Sequence, residues 1–275
     1  MSTQATEKLA PRPFLKWAGG KSKLIGQYLP YFPTDFKNYY EPFLGGGAVF
    51  FHLLPAEAIL MDINQELINT YCCVRDNVEL LIELLSEHRA RHSGDYYYYL
   101  RSRTTGSDIE RAARLIYLNK TCFNGLYREN RCGQFNVPIG TYKNPQICQP
   151  DILRSASIAL KFAKIETGHF KSVLEYAKTS QDFVYFDPPY YPLSQTSNFT
   201  AYSRNFFNEE EQIKLRDIFA ELRSRGVKVM LSNSDCGFIR DLYSGFNIHT
   251  ISASRSINSK AGKRGKITEV LVTSY

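Results

Sequence analysis

Apolar residues in this chain fall into two patterns. Short runs, bounded by glycine, proline or aspartate, alternate with longer stretches in which apolar positions recur every three or four residues. NYYEPF (38–43) reads as a strand, LGGG (44–47) as a glycine-rich turn and AVFFHLL (48–54) as a helix. AEAILMD (56–62) predicts a second strand ending at Asp62, and one helix is expected from about Asn64 through VELLIELLSEH (78–88). After residue 155 the rhythm returns. KIETGHF (164–170) is a short strand, SVLEYAKT (172–179) a helix and DFVYFD (182–187) a buried strand. NEEEQIKLRDIFAELRSRG (208–226) is an amphipathic helix stopped by Gly226, VKVMLSNS (227–234) a strand and IRDLYSG (239–245) a short helix. FNIHTISA (246–253) and TEVLVTS (268–274) close the chain as strands.

Strands alternating with helices imply an α/β fold with a doubly wound, mostly parallel sheet. The region 71–155 breaks the rhythm. Tyr96–Tyr99 start an amphipathic helix, DIERAARLIYLNK (108–120) forms another, and the polar, aromatic CFNGLYRENRCGQFNVPIGTY (122–142) reads as a β-hairpin or ordered loop. The expected organisation is one domain of residues 1–70 and 156–275, interrupted by an inserted helical and hairpin domain at 71–155.

Composition narrows the class. An apolar fraction of 43% over 275 residues, with a mean hydropathy of −0.33, suits a chain with a substantial core and no membrane span. The N-terminal MSTQATEKLAPRPF has no apolar core of an export signal, so a cytoplasmic protein is expected. The six cysteines make no CxxC pair and no zinc spacing, so reduced thiols and no metal are expected. A net charge of +7 favours a polyanionic partner. The segment RSINSKAGKRGK (255–266) carries five basic residues and no acid. Its Lys260, Lys263, Arg264 and Lys266 could form a phosphate-binding arm, or a plain solvated loop.

Three stretches carry chemistry. In PFLGGGAVFF the glycines let backbone approach a ligand, and Asp62 ends the next strand, where a carboxylate can grip ribose hydroxyls. FLKWAGGKSKL (14–24) contains GGKS, but the phosphate-loop motif needs a glycine where Leu15 stands, so an NTPase is rejected. Lys16, Trp17 and Lys21 remain pocket candidates, alongside a simple helix start. The third stretch is FVYFDPPYYP (183–192). At the carboxyl end of a parallel strand Asp187 faces the ligand crevice, and Pro188 and Pro189 remove two donors. The Asp187 carboxylate and Pro188 carbonyl make an acceptor-rich surface beside the Tyr190 ring. A planar ring bearing an –NH₂ group suits it, its two N–H bonds directed at the acceptors while the ring stacks on tyrosine.

Taken together, PFLGGG, DPPY, FLKWAGGK, NGLYR and FNVP resemble the class I, α-group (D12 class), Dam/DpnII-type DNA adenine-N6 methyltransferases, from about Phe14 to the last strand. The resemblance implies a Rossmann-like methyltransferase sheet with an inserted DNA-recognition domain, and S-adenosyl-L-methionine as cofactor. Trp17, Ala18, Gly19, Lys21, Pro42, Phe43, Gly45, Gly47, Asp62, His169, Phe170 and Asp187 would line the cofactor. Asp187, Pro188, Pro189 and Tyr190 would hold the flipped adenine, whose nitrogen attacks the methyl group in line. Lys16 and Arg128 would read the guanines of GATC, Phe123 would wedge into the base stack, and Asn124, Asn130 and Pro138 would also face DNA. Gly168-His169-Phe170 departs from the family's usual Gly-Asp-Phe. Solitary enzymes and partners of restriction nucleases both fit, and a nucleoid-associated monomer working on double-stranded DNA suffices. Rival readings are transfer to cytosine N4, RNA or a glutamine side chain, an inactive DNA-binding module, and a Mg²⁺ nuclease.

Overall fold

The run DFVYF at Asp182–Phe186 is buried at all five positions, as a strand covered on both faces must be. A seven-stranded sheet is built around it. The computed structural model of the protein describes residues 9–193, 207–254 and 266–275. Its strands are β1 (Asn38–Glu41), β2 (Glu57–Asp62), β3 (Lys164–Thr167), β4 (Asp182–Phe186), β5 (Lys228–Ser234), β6 (Asn247–Ser254) and β7 (Lys266–Thr273). Its helices are α1 (Ile25–Tyr28), α2 (Ala48–Leu53), α3 (Gln65–Asp76), α4 (Val78–Ala90), α5 (Gly94–Ser102), α6 (Asp108–Thr121), α7 (Pro150–Leu160), α8 (Val173–Tyr176), α9 (Glu209–Ser224) and α10 (Gly237–Leu242).

The strand order is β3-β2-β1-β4-β5-β7-β6. β1 pairs in parallel with β2 and β4, and β4 in parallel with β5. β7 is antiparallel to both neighbours, β5 and β6. This is the mostly parallel, doubly wound sheet expected from the alternation. The chain winds outward in opposite directions from β1 and β4, so the carboxyl ends of these two strands flank the switch point where α/β sheets bind ligands.

Two compact units make up the chain. Unit 1 comprises the described part of Met1–Gly20 with Gly45–Leu54 and Asn64–Ile165. It contains α2 to α7, whose buried faces include Leu67, Tyr71, Leu81, Leu85, Ile116 and Leu153. Unit 2 comprises Lys21–Leu44, Pro55–Ile63 and Glu166–Tyr275, and holds the sheet apart from the first half of β3. Its core packs Val184, Phe186, Val229, Leu231, Val270 and Val272 of the strands with Leu215, Phe219 and Leu222 of α9.

Two helices differ from expectation. The helix expected from Asn64 to His88 is broken into α3 and α4 at Asn77 (φ −136°, ψ 38°), which caps the first with its N–H on the Cys73 carbonyl (2.9 Å). Apolar spacing runs across the break, whereas the side chains of Asp76 and Asn77 favour caps over helix interiors. The helix expected over 172–179 is only one turn, Val173–Tyr176, preceded by a 3-10 turn at Phe170–Ser172. Of the two forms expected for 122–142, the segment takes that of an ordered loop, with two isolated antiparallel bridges, Cys122–Ile139 and Glu129–Phe135.

The amino end of β4 is tied by Asp182, a buried carboxylate. It accepts from Asn38 Nδ2 (2.8 Å), Tyr40 Oη (3.2 Å), the Lys178 and Thr179 amides (2.8 Å each) and Thr179 Oγ1 (3.1 Å). Burial opposes its ionisation, but these donors outweigh burial and hold the carboxyl below its ordinary value. Its stabilising contribution is therefore present above the unfolded carboxyl's pKa and is lost as pH falls through the lower folded value. Asp182→Asn is expected to destabilise by about 1–3 kcal/mol at pH 7, because buried donors lose their acceptor. The difference in melting temperature between variant and wild type should shrink below pH 4, and a pH-independent gap would contradict this account.

Candidate active site and nucleic-acid interface

β4 ends at Phe186, and the next four residues turn over the sheet's carboxyl edge. Asp187 is one-fifth exposed, and Lys21, almost fully buried, places Nζ 2.7 Å from its Oδ1. Ser232 Oγ of β5 donates to the same oxygen at 2.9 Å. Tyr185 Oη lies 3.0 Å from Ser232 Oγ. Since the serine has one proton and gives it to Asp187, Tyr185 donates to Ser232. Both contacts use Oδ1. Among the described residues, Oδ2 accepts no hydrogen bond.

The prolines are sorted in the same way. The Pro189 carbonyl accepts from Gln212 Nε2 of α9 (3.0 Å), and Gln212 Oε1 accepts from Asn233 Nδ2 (2.9 Å). Asn233 Oδ1 in turn takes the Tyr191 amide (3.1 Å). No described residue donates to the Pro188 carbonyl. The turn is thus braced by buried amides at its far end, and at its near end Asp187 Oδ2 and Pro188 O are acceptors with no donor among the described residues.

Tyr190 is half-buried, with its hydroxyl donating to Glu269 Oε2 of β7 (2.7 Å). Burial, then the charge of Asp187, raises its phenol well above the ordinary value, so it stays a neutral donor. The Lys21 ammonium lies 4.7 Å from the Tyr190 ring centroid, in cation–π range.

The remaining unit 2 residues expected at the cofactor lie along the same carboxyl edge. Pro42 follows β1, and Phe43 stacks on Phe170 (5.3 Å between centroids, 23°). Asp62 ends β2, and its carbonyl accepts from Gly168 (3.1 Å). His169, in place of the family's acid, has its Nδ1 accepting from the Lys171 amide (3.3 Å) and Nε2 3.6 Å from Glu211 Oε2 of α9. Lys266 opens β7, while Lys260, Lys263 and Arg264 lie outside the described residues.

In unit 1, Trp17 stacks on Tyr127 (5.1 Å, 27°) and abuts the glycine turn. Gly45 has φ +47°, and a Cβ there would sit 2.9 Å from Trp17 Cδ1, so this position excludes a side chain on two counts. Gly47, also left-handed, caps α2, and Ala18 and Gly19 are exposed beside Trp17.

The expected DNA-facing residues of unit 1 are on the surface. Phe123 is 49% exposed, so its ring is not part of a core. Asn124 adopts φ +56°, and Pro138 is exposed with its carbonyl accepting from the Phe123 amide (2.9 Å). Arg128 is exposed, and its Nε donates to the Asn136 carbonyl (3.0 Å). Asn130 Oδ1 closes the turn by accepting from the amides of Cys132 (2.9 Å) and Gln134 (3.0 Å). The Lys16 ammonium lies 4.2 Å from the Tyr142 centroid.

Two basic residues near Lys16 were not singled out in the sequence. Lys120 is lowered to about 8 by burial first, and then by the charges of Lys16 and Arg12. A phosphate placed here would raise that value again. DNA affinity should therefore fall as pH rises from 7 to 9.5, because the free protein loses the Lys120 proton near pH 8. Lys120→Arg should flatten the profile. Fluorescence anisotropy at constant ionic strength measures both, and an identical pH slope in the two proteins would exclude Lys120.

None of the described helices is long and apolar enough to cross a membrane. A family model described as D12 class N6 adenine-specific DNA methyltransferase matches residues 17–257. The chain is 47% identical to the Type II methyltransferase M1.LlaDCHI of Lactococcus lactis subsp. cremoris, over its whole length and 99% of the relative's. It is 43% identical to the Type II methyltransferase M.MjaIII of Methanocaldococcus jannaschii, covering 96% of this chain and 99% of that one. It is 36% identical to the DNA adenine methylase of Haemophilus influenzae, covering 96% and 94%. With the sheet order, the acceptor pair at the end of β4 and these matches in agreement, the chain belongs to the D12 class of N6 adenine-specific DNA methyltransferases.

Proposed function

We propose that the protein transfers a methyl group from S-adenosyl-L-methionine to N6 of an adenine turned out of duplex DNA, within GATC. One observation carries this reading: among the described residues, none donates to Asp187 Oδ2 or to the Pro188 carbonyl, and both lie beside a half-buried tyrosine ring. An exocyclic –NH₂ has two hydrogens to offer, and this surface has two acceptors. Holding both hydrogens turns the nitrogen lone pair out of conjugation and toward an electrophile. Tyr190, fixed by Glu269, supplies a stacking face for a base that has left the helix.

The donor set of unit 2 suits the cofactor's polar groups. Asp62 offers a carboxylate to ribose hydroxyls, and Lys21 a cation to the amino-acid end. Phe43 and Phe170 offer apolar surface. When bound, the cofactor supplies an electrophilic methyl on a sulfonium. Asp187 keeps the amino nitrogen oriented by accepting one of its N–H bonds, a contact that strengthens as positive charge develops there, and would take the proton that the nitrogen must lose as the methyl arrives. Trp17, Ala18, Gly19, Gly45 and Gly47 are assigned to the same cofactor by family likeness and are open to the same substitution tests. Phe123, Asn124, Arg128, Asn130 and Pro138 of the inserted region, together with Lys16, are proposed as the DNA-reading group. The proposed reaction needs no metal and is carried out by a monomer.

The test uses methyl-labelled S-adenosylmethionine with four duplexes: GATC, GTAC, GATC already N6-methylated on both strands, and one with no adenine-containing palindrome. Label entering only the unmethylated GATC duplex is expected. Label in other duplexes would retain the transferase and discard GATC. No label in any duplex, with cofactor bound, would move the acceptor to RNA or protein.

A further inference from the structure

Asn119 is a polar residue with 1% of its surface exposed, in the last turn of α6. A primary amide buried this deeply must find partners for both ends or destabilise the fold. It finds them outside its own helix. Its Oδ1 accepts from the Lys16 amide (2.8 Å), and its Nδ2 donates to the Lys16 carbonyl (2.7 Å) and the Gly125 carbonyl (3.2 Å). The side chain thus pairs with both backbone groups of Lys16, as a neighbouring strand would, and reaches the turn that follows Phe123 and Asn124 with its remaining hydrogen.

The two segments it joins are in close contact. Gly125 (φ +63°) packs on the Lys16 side chain so closely that a Cβ would lie 2.5 Å from Lys16 Cδ and 2.7 Å from Lys16 Cβ. Lys16 and the loop carrying Phe123 and Arg128 are therefore fixed against each other by a side chain too deep to touch a ligand itself. A second brace is the Trp17–Tyr127 stack, one residue along each segment.

We infer that Asn119 is a positioning residue for sequence discrimination: it sets the spacing between Lys16 and the Phe123–Arg128 loop, so that both meet the target bases in one register. This rests on the proposal that Lys16 and the loop face DNA. Removing the amide loosens the loop from Lys16 while leaving every side chain that would contact a base or the cofactor unchanged. A shift of about 1 Å in such a group is enough to lose a two-point contact.

The experiment compares Asn119→Ala with Leu85→Ala, a cavity at a fully buried leucine of α4 that destabilises unit 1 without touching Lys16. For each protein, kcat/KM is measured on GATC and on duplexes altered at one guanine, together with cofactor Kd and melting temperature. Both variants should melt earlier and bind cofactor within twofold of wild type. Only Asn119→Ala should lose discrimination, by tenfold or more. If Asn119→Ala fails to fold, Asn119→Ser is read in the same way. Wild-type discrimination in the Asn119 variant, with a melting loss like that of Leu85→Ala, would make Asn119 a core residue and overturn the inference. A wild-type protein that does not discriminate between the duplexes would overturn the functional reading instead, and the inference with it.

Discussion

Asp187→Asn is expected to lose methyl transfer by about 10²–10³-fold in kcat, the cost of removing one preorganised electrostatic contact, while the protein remains folded and binds cofactor. The choice of asparagine follows from Lys21. That ammonium is almost fully buried and sits 2.7 Å from Asp187 Oδ1. Alanine at 187 would leave it without this counter-charge, which costs about 3–5 kcal/mol for a buried pair. A collapse in Asp187→Ala would then say nothing about chemistry. Asparagine keeps an oxygen for Ser232 and Lys21 and places an NH₂ where Oδ2 stood. That group repels the adenine amino group instead of accepting from it. The measurement is single-turnover methylation with cofactor Kd by calorimetry. A second arm separates charge from chemistry: Lys21→Met with Asp187→Ala should recover stability relative to Asp187→Ala alone, yet remain inactive. Near-normal turnover in Asp187→Asn would show that Oδ2 is not the acceptor and would remove the assignment of the strand-end turn.

The turn itself was legible because its signal is local. A strand of consecutive apolar residues followed by Asp-Pro-Pro-Tyr allows few conformations, and β4 is buried throughout up to Phe186, as its composition requires. The residues that make the turn work were not legible in the same way. Ser232, Gln212, Asn233 and Glu269 lie between 22 and 82 positions away from it, and each reads alone as an ordinary polar residue. One available signal was Ser232-Asn233-Ser234 closing the apolar run of β5, since three polar residues at a strand's buried carboxyl end need partners. Asn119 was hidden for a related reason. Mid-pattern in LIYLNKT it resembles a solvated helix position, and only burial reveals that it answers Lys16 and Gly125. The break at Asn77 was missed because apolar periodicity outlasts a one-residue interruption. Charge showed the opposite behaviour: a net +7 pointed to a polyanion, but it could not show that burial, and then the charges of Lys16 and Arg12, lower Lys120 to about 8.

Arg128→Ala is expected to reduce discrimination at one guanine of the target by about 5- to 150-fold, the equivalent of about 1–3 kcal/mol for a bidentate arginine contact. General affinity for DNA should fall much less. The structure sets the starting point for this change. Arg128 is exposed and leans its Nε on the Asn136 carbonyl (3.0 Å), while the Asn136 amide donates to the Arg128 carbonyl (2.7 Å). The guanidinium is held by one neutral acceptor and no acidic side chain among the described residues, so a guanine offering O6 and N7 can compete for it. Arg128→Lys sharpens the test, because it keeps the charge and loses the planar fork. If Arg128 reads a base, lysine should discriminate almost as poorly as alanine while showing wild-type salt dependence. If Arg128 holds a phosphate, lysine should restore binding on every sequence, and alanine should lower the slope of log K against log salt by about 1. The set of kcat/KM values on singly altered duplexes at two salt concentrations distinguishes these results. Loss of the Asn136 contact in either variant leaves that carbonyl at an exposed position, where water replaces the donor, so neither outcome is confused with unfolding.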